Sequence, residues 1–166
     1  MTEISFYFNV PSRTGYACRL LRRARREGMT VTVTGPVDAL NEIDRELWTF
    51  AGPEFLAHHW IERAAEVPVS LHATTIWLGA NPIDAPRHDA LLNLGADTPP
   101  AFETFERVFE VVSVDDVDRQ AARERWKAYA RRGYPIKQHE AAACRTTRSS
   151  CRNRRCRWAP RNGCDE

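Results

Sequence analysis

Residues 4–15, Ile4-Ser5-Phe6-Tyr7-Phe8-Asn9-Val10-Pro11-Ser12-Arg13-Thr14-Gly15, carry the decision about the fold. Large apolar residues alternate with mixed ones as far as Val10, and Pro11 stops the run, which is how a strand reads. Ser12 is placed to cap a helix. From Thr14 to Glu27 the residues Tyr16, Ala17, Leu20, Leu21 and Ala24 recur at helical spacing, and Gly28 ends that helix. Thr30-Val31-Thr32-Val33-Thr34 is β-branched throughout and stops at Gly35-Pro36, so it reads as a second strand. Strands alternating with helices in this way predict an α/β fold, three layers deep, with helices on both faces of a mostly parallel sheet.

The same alternation continues. Asp38 opens a second helix with Leu40, Ile43, Leu47 and Trp48 on one face, and Gly52-Pro53 breaks it. Val69-Ser70-Leu71-His72 and Thr75-Ile76-Trp77-Leu78 read as strands or strand edges. Residues 79–88, with Asn81-Pro82 and Ala85-Pro86, read as loop. Ala90-Leu91-Leu92-Asn93-Leu94 is a compact apolar run, expected to be a buried strand. Phe102 to Glu106 is expected to be a short helix and Val108 to Val112 a strand. Asp115 to Arg132 is the clearest helix: two acids in its first turn and two arginines in its last suit the helix dipole, and Gly133 terminates it.

Composition divides the chain in two. Of 166 residues, 43% are hydrophobic and 28% charged, which is ordinary for a soluble domain. The net charge is +2, yet residues 141–166 hold Arg145, Arg148, Arg152, Arg154, Arg155, Arg157 and Arg161 against Asp165 and Glu166, a surplus of five. Residues 1–140 are therefore acidic by three, so the basic pI gives the folded part no claim to nucleic acid. Cysteine follows the same split, with Cys18 alone before residue 140 and Cys144, Cys151, Cys156 and Cys164 after it. Two units are expected: an α/β domain over 1–140, and an Arg/Cys-rich tail over 141–166 with few core-forming residues, read as disordered. The start has no basic segment ahead of an apolar run, and no stretch approaches the ~20 apolar residues of a membrane helix. The expected location is the cytoplasm.

Familiar chemistry is missing where the fold would invite it. A phosphate site after the first strand needs a glycine-rich turn whose N–H groups approach the ligand. Here the turn from Asn9 to Gly15 has one glycine, and Pro11 deletes a donor. His58-His59 is a tempting pair, but adjacent side chains diverge, so one packed ring and one surface ring are expected. Asp115-Asp116 reads as dipole compensation at a helix start. The tail cysteines, spaced by six, four and seven residues, lack the short-loop pairs of a structural zinc site. No metal and no cofactor are expected.

Two surfaces stand out. At about 100° per residue, Arg119, Arg123, Trp126 and Ala130 share one narrow sector of the last helix, and Lys127 flanks it. Val117, Ala121 and Ala128 lie opposite and are expected to face the core. Such a helix would show cations around an outward tryptophan, which suits an acidic peptide with an apolar anchor. The second surface is Leu47 to Leu56, with Trp48, Phe50 and Phe55 beside the Gly-Pro break. Core packing is the ordinary role for these rings; their excess hints at a partner interface.

Phe6-Tyr7-Phe8, Asp44-Arg45-Glu46-Leu47-Trp48 followed by Phe55 and His58, and above all Gln120-Ala121-Ala122-Arg123-Glu124-Arg125-Trp126-Lys127-Ala128-Tyr129 with Gly133-Tyr134 resemble the chi subunit family of bacterial DNA polymerase III. The resemblance runs through residues 3–140. It implies a Rossmann-like sheet with the topology of nucleotide-binding folds but no phosphate-binding loop. It implies a non-catalytic subunit of the clamp-loader assembly that pairs with the psi subunit and binds the acidic, Phe-terminated tail of single-stranded-DNA-binding protein, touching DNA only indirectly. Arg119, Arg123, Trp126, Lys127, Gly133 and Tyr134 correspond to the tail pocket, and Trp48 and Phe55 to the psi-facing surface. Trp126 stands where a tyrosine is often found. Residues 141–166 match nothing in the family. The alternative is a degenerate nucleotide-binding enzyme on the same fold.

Overall fold

The computed structural model describes residues 1–49, 56–61, 71 and 73–141. Its elements are β1 (Glu3–Val10), α1 (Arg13–Arg26), β2 (Val31–Thr34), α2 (Val37–Thr49), β3 (His58–Trp60), β4 (Ile76–Leu78), β5 (Ala90–Asn93), β6 (Arg107–Ser113), α3 (Asp116–Arg131) and β7 (Ile136–Glu140). The strands form one sheet in the order β3-β4-β2-β5-β6-β1-β7. Every pairing is parallel, one step beyond the mostly parallel sheet expected. Crossovers between parallel strands put helices over both faces, so the central strands are buried on both sides.

Local signals act where the sequence placed them. The Ser12 hydroxyl accepts from the Gly15 N–H at 3.1 Å and starts α1. Gly28 closes that helix with φ of 76°, a conformation that costs glycine little. Asp115 caps α3 by accepting from the N–H groups of Val117 and Asp118 at 2.9 and 3.2 Å. On one side of the sheet, Tyr7, Val10, Val31, Val33, Leu92 and Val111 pack against Ala17 and Leu21 of α1 and Leu40, Ile43 and Leu47 of α2. On the other, Ile4, Phe6, Leu91, Val108 and Val112 pack with Phe102, Phe105 and, from α3, Ala122 and Tyr129.

The structure adds two strands without a predicted counterpart and departs from the expectations for residues 102–106 and for Val117. Ile136–Glu140 is a strand, β7, although its alternate residues are polar. It is an edge strand that pairs, among the described residues, with β1 alone, so it has little to bury. His58–Trp60 is a strand at the other edge. The helix expected over 102–106 is a single 3-10 turn, Phe102–Thr104. Val117 does not face the core; it is 80% exposed. Ala121 and Ala128 are half-buried, and the buried residues of α3 are Ala122, Arg125 and Tyr129. The helix is turned by about a quarter of a revolution from the face its small apolar residues suggested. Most of the strand expected at Val69–His72 lies outside the described residues, as does the tail from residue 142 onward.

The reason for that rotation is a carboxylate in the sheet. Glu110 of β6 is fully buried beneath α3. It accepts from Arg125 Nε at 2.9 Å, from the Tyr129 hydroxyl at 2.8 Å and from Asn93 Nδ2 at 3.0 Å. Arg125 also donates to the Ala96 carbonyl at 2.8 Å. Burial pushes the Glu110 carboxyl up from its ordinary range, while Arg125, Asn93 and Tyr129 pull it back. Burial and the neighbouring carboxylate push the Tyr129 phenol up, so it stays a neutral donor.

Removing one partner of such a pair leaves the other charged and dry. Arg125→Met is expected to lower unfolding free energy by about 3–5 kcal/mol in urea titrations, and Glu110→Gln added to it should recover much of the loss. Val117→Glu, by contrast, should change stability by less than about 0.5 kcal/mol, whereas Ala122→Glu should prevent folding.

Candidate functional site

The regular ladder of β1 breaks at its carboxyl end. Pairing with β6 runs in step from Glu3 to Tyr7 and then shifts, so that Val10 meets Ser113. Asn9 sits in this irregularity with φ of 59°. Asparagine is one of the few residues other than glycine that accepts a left-handed backbone, and bulges commonly re-aim side chains beside functional sites. Next to it, Phe8 is in register with Glu140 of β7, and Phe6 with Gln138. Phe8, Gln138 and Glu140 therefore point to the side of the sheet that α3 covers.

Between α3 and the sheet edge lies an open groove of about 550 Å³, lined by Phe8, Asn9, Val112, Arg119, Arg123, Gln138 and Glu140. Phe8 and Val112 give it an apolar floor. Arg119 and Arg123, one turn apart, make the helix wall. The Arg119 guanidinium donates to Asn9 Oδ1 at 3.0 Å and lies 3.6 Å from Asp116. Arg123 is exposed and has no ion pair among the described residues. The strand wall carries one carboxylate, Glu140, whose Oε1 accepts from Asn9 Nδ2 at 3.2 Å. Cations over an apolar floor can take a carboxylate together with a nearby apolar group.

The residues singled out from sequence divide over this site. Arg119 and Arg123 line the groove. Trp126 is half-buried rather than turned outward, with its ring 4.9 Å from Phe6 and 6.1 Å from the floor residue Phe8. The rotation that buries Arg125 carries the neighbouring indole toward the sheet. Lys127 is exposed on the adjoining sector and sits 2.8 Å from Glu124, whose carboxyl this contact holds below its ordinary range. Gly133, with φ of 75°, ends the helix about 20 Å from Arg119 along the axis. Tyr134 packs edge-on against Phe102 there, ring centroids 5.2 Å apart. Phe8, Asn9, Val112, Gln138 and Glu140 were not found from sequence. The one available hint was an asparagine late in a strand before proline.

Only part of the second surface lies among the described residues. Trp48, in the last turn of α2, is 61% exposed, its ring edge-on to His58 at 5.2 Å. His58 is packed: its Nδ1 lies 2.7 Å from the Leu56 carbonyl and its Nε2 3.1 Å from Asp44, which also accepts from Trp60 Nε1 at 3.1 Å. His59 is exposed, so the two rings part as expected. Phe50 and Phe55 lie outside the described residues.

The turn after β1 is spent on itself. The Gly15 and Tyr16 N–H groups both bond to Ser12. Asp118 of α3 accepts from the Ser113 N–H at 2.7 Å and lies 3.5 Å from Arg13, so a carboxylate already stands at this end of the sheet and would repel a phosphate. Among the described residues no group of His, Cys, Asp and Glu is placed to hold a metal ion, and no helix is long and apolar enough to cross a membrane. Asp118→Ala should cost about 1–3 kcal/mol in thermal unfolding, and neither it nor the native chain should gain stability from ATP; an ATP-dependent rise in midpoint would show that the turn does take phosphate.

A family model described as DNA polymerase III chi subunit, HolC matches residues 1–137. The chain is 37% identical over 145 residues to the DNA polymerase III subunit chi of Pseudomonas aeruginosa, covering 84% of this chain and 96% of that protein. It is 30% identical over 121 residues to the DNA polymerase III subunit chi of Haemophilus influenzae, covering 72% of this chain and 81% of that one.

Proposed function

The chain belongs to the DNA polymerase III chi subunit family, and from that premise we propose that it is a non-catalytic adaptor of the clamp-loader assembly in DNA replication. It joins the psi subunit on one side to the acidic, phenylalanine-terminated tail of single-stranded-DNA-binding protein on the other. It works in the cytoplasm and reaches DNA only through these partners.

The observation that carries this reading is the groove: two arginines one turn apart over a floor of Phe8 and Val112. The guanidinium of Arg123 is exposed toward solvent and suits the terminal carboxylate of the tail, a charge-assisted contact that can be bidentate. The floor suits the terminal aromatic ring, and Trp126 backs that floor through Phe8. Lys127, on the adjoining sector, favours the acidic residues that precede the terminus. Gly133 and Tyr134 fix where α3 stops, and act on the groove through the helix they terminate. The psi-facing surface is built on Trp48, whose exposed indole is the kind of large apolar anchor that dominates protein interfaces; Phe55 belongs to the same surface by resemblance.

An exposed cationic site of this size binds modestly and weakens with salt, because charges are screened beyond about 8–10 Å at physiological ionic strength. Arg123→Ala should weaken an acidic, Phe-terminated peptide at least about tenfold in fluorescence anisotropy, with unchanged thermal stability. Equal affinity of mutant and native chain would remove the groove as the tail site. Trp48→Ala should abolish co-elution with psi on size exclusion while leaving peptide affinity intact; a variant that still co-elutes would place psi elsewhere.

A further inference from the structure

The groove carries a carboxylate of its own. Glu140 lines the strand wall opposite Arg119 and Arg123, in a site whose proposed ligand is an anion. Two oppositely charged side chains facing each other across an open groove normally close on one another. That would neutralise a cation the ligand needs. Here they do not, and one residue stands between them.

Asn9 bonds to both. Its Oδ1 accepts from Arg119 at 3.0 Å, and its Nδ2 donates to Glu140 at 3.2 Å. A side-chain amide is neutral and offers an acceptor to a guanidinium and a donor to a carboxylate from two separate atoms, so it can bridge the two. Its backbone is left-handed, with φ of 59°, in the bulge that ends the regular pairing of β1 with β6. A β-branched or bulky residue resists that conformation. The strain and the amide therefore belong together, since the bulge aims the amide across the mouth of the groove. We propose that Asn9 is the positioning residue of the groove, a neutral spacer that keeps Glu140 from pairing with Arg119; the carboxylate already near Arg119, Asp116 at 3.6 Å, is fully solvated and screened, so Arg119 stays available to an anionic ligand. The assignment rests on the peptide-binding reading given above.

The spacer makes a prediction that a structural role does not. Asn9→Gly keeps the left-handed backbone and deletes the amide. Arg119 and Glu140 are both long enough to meet once it is gone. Affinity of the full chain for an acidic, Phe-terminated peptide should then fall about threefold to tenfold. Adding Glu140→Gln should restore it to within about twofold, because the competing carboxylate has been removed. Arg119→Ala with Asn9→Gly should bind no more weakly than Arg119→Ala alone. Native affinity in Asn9→Gly, or a loss that Glu140→Gln fails to restore, would overturn the assignment.

A ligand-free measurement separates this outcome from failure of the peptide reading. In the native background Arg119→Ala and Glu140→Gln share Asn9 as a partner and should couple only weakly in thermal midpoint, by less than about 1 °C. In the Asn9→Gly background they should couple by about 1–3 °C, the signature of a newly formed ion pair. Coupling no stronger in the Asn9→Gly background than in the native one would overturn the spacer even if the peptide binds. A chain that shows the coupling but binds no acidic peptide would keep the spacer and remove its proposed ligand.

Discussion

A carboxylate buried in the sheet fixes how the last helix lies. Glu110 is fully buried, so its two oxygens must be met by hydrogen-bond donors. Asn93 meets it from the neighbouring strand, while Arg125 and Tyr129 meet it from α3, one turn apart. Apolar contacts tolerate sliding and rolling; a four-residue cluster of directed hydrogen bonds does not. The helix can satisfy Glu110 in only one rotation. That rotation sends Val117 into solvent, draws Trp126 against Phe6 and Phe8, and leaves Arg119 and Arg123 along the rim.

The groove arises where that rim meets the end of the sheet. In parallel α/β sheets the carboxyl ends of the strands are the ends left open for ligands. Here a groove opens at that end, without the phosphate chemistry usually found there. The turn after β1 satisfies its own N–H groups through Ser12, and Asp118 supplies an internal anion beside Arg13. The open space is displaced to the sheet edge, where β7 is the last strand beside α3. An edge built from Lys137, Gln138, His139 and Glu140 has too little apolar surface to close over the helix. The floor of Phe8 and Val112 consequently stays reachable beneath two arginines.

Much of the architecture could be read directly because its causes are local. Ser12, Gly28, Asp115 and Gly133 act within a turn of the positions they cap. Alternation in β1, β2, β5 and β6 sorts residues between two apolar layers, and both layers are built as that alternation requires. The edges were harder. β3 and β7 carry polar residues on at least one face, and only pairing with β4 and β1 makes them strands. Of the groove, the arginines were legible as a stripe at helical spacing. Phe8, Asn9, Gln138 and Glu140 were not, since register across strands more than a hundred residues apart leaves no trace in a local pattern.

The amino-acid sequence by itself determined the class of fold, the helix ends, the missing phosphate loop and the cationic stripe on α3, each of which depends on residues within a few positions of one another. Tertiary structure alone decided which way that stripe faces. The face of α3 that goes inside carries an arginine, and no rule of hydrophobic spacing selects Arg125 over Val117 or Ala121. The selection is made by Glu110, fifteen residues away on another element and hidden from water, because a buried charge must find its partner wherever the fold places one.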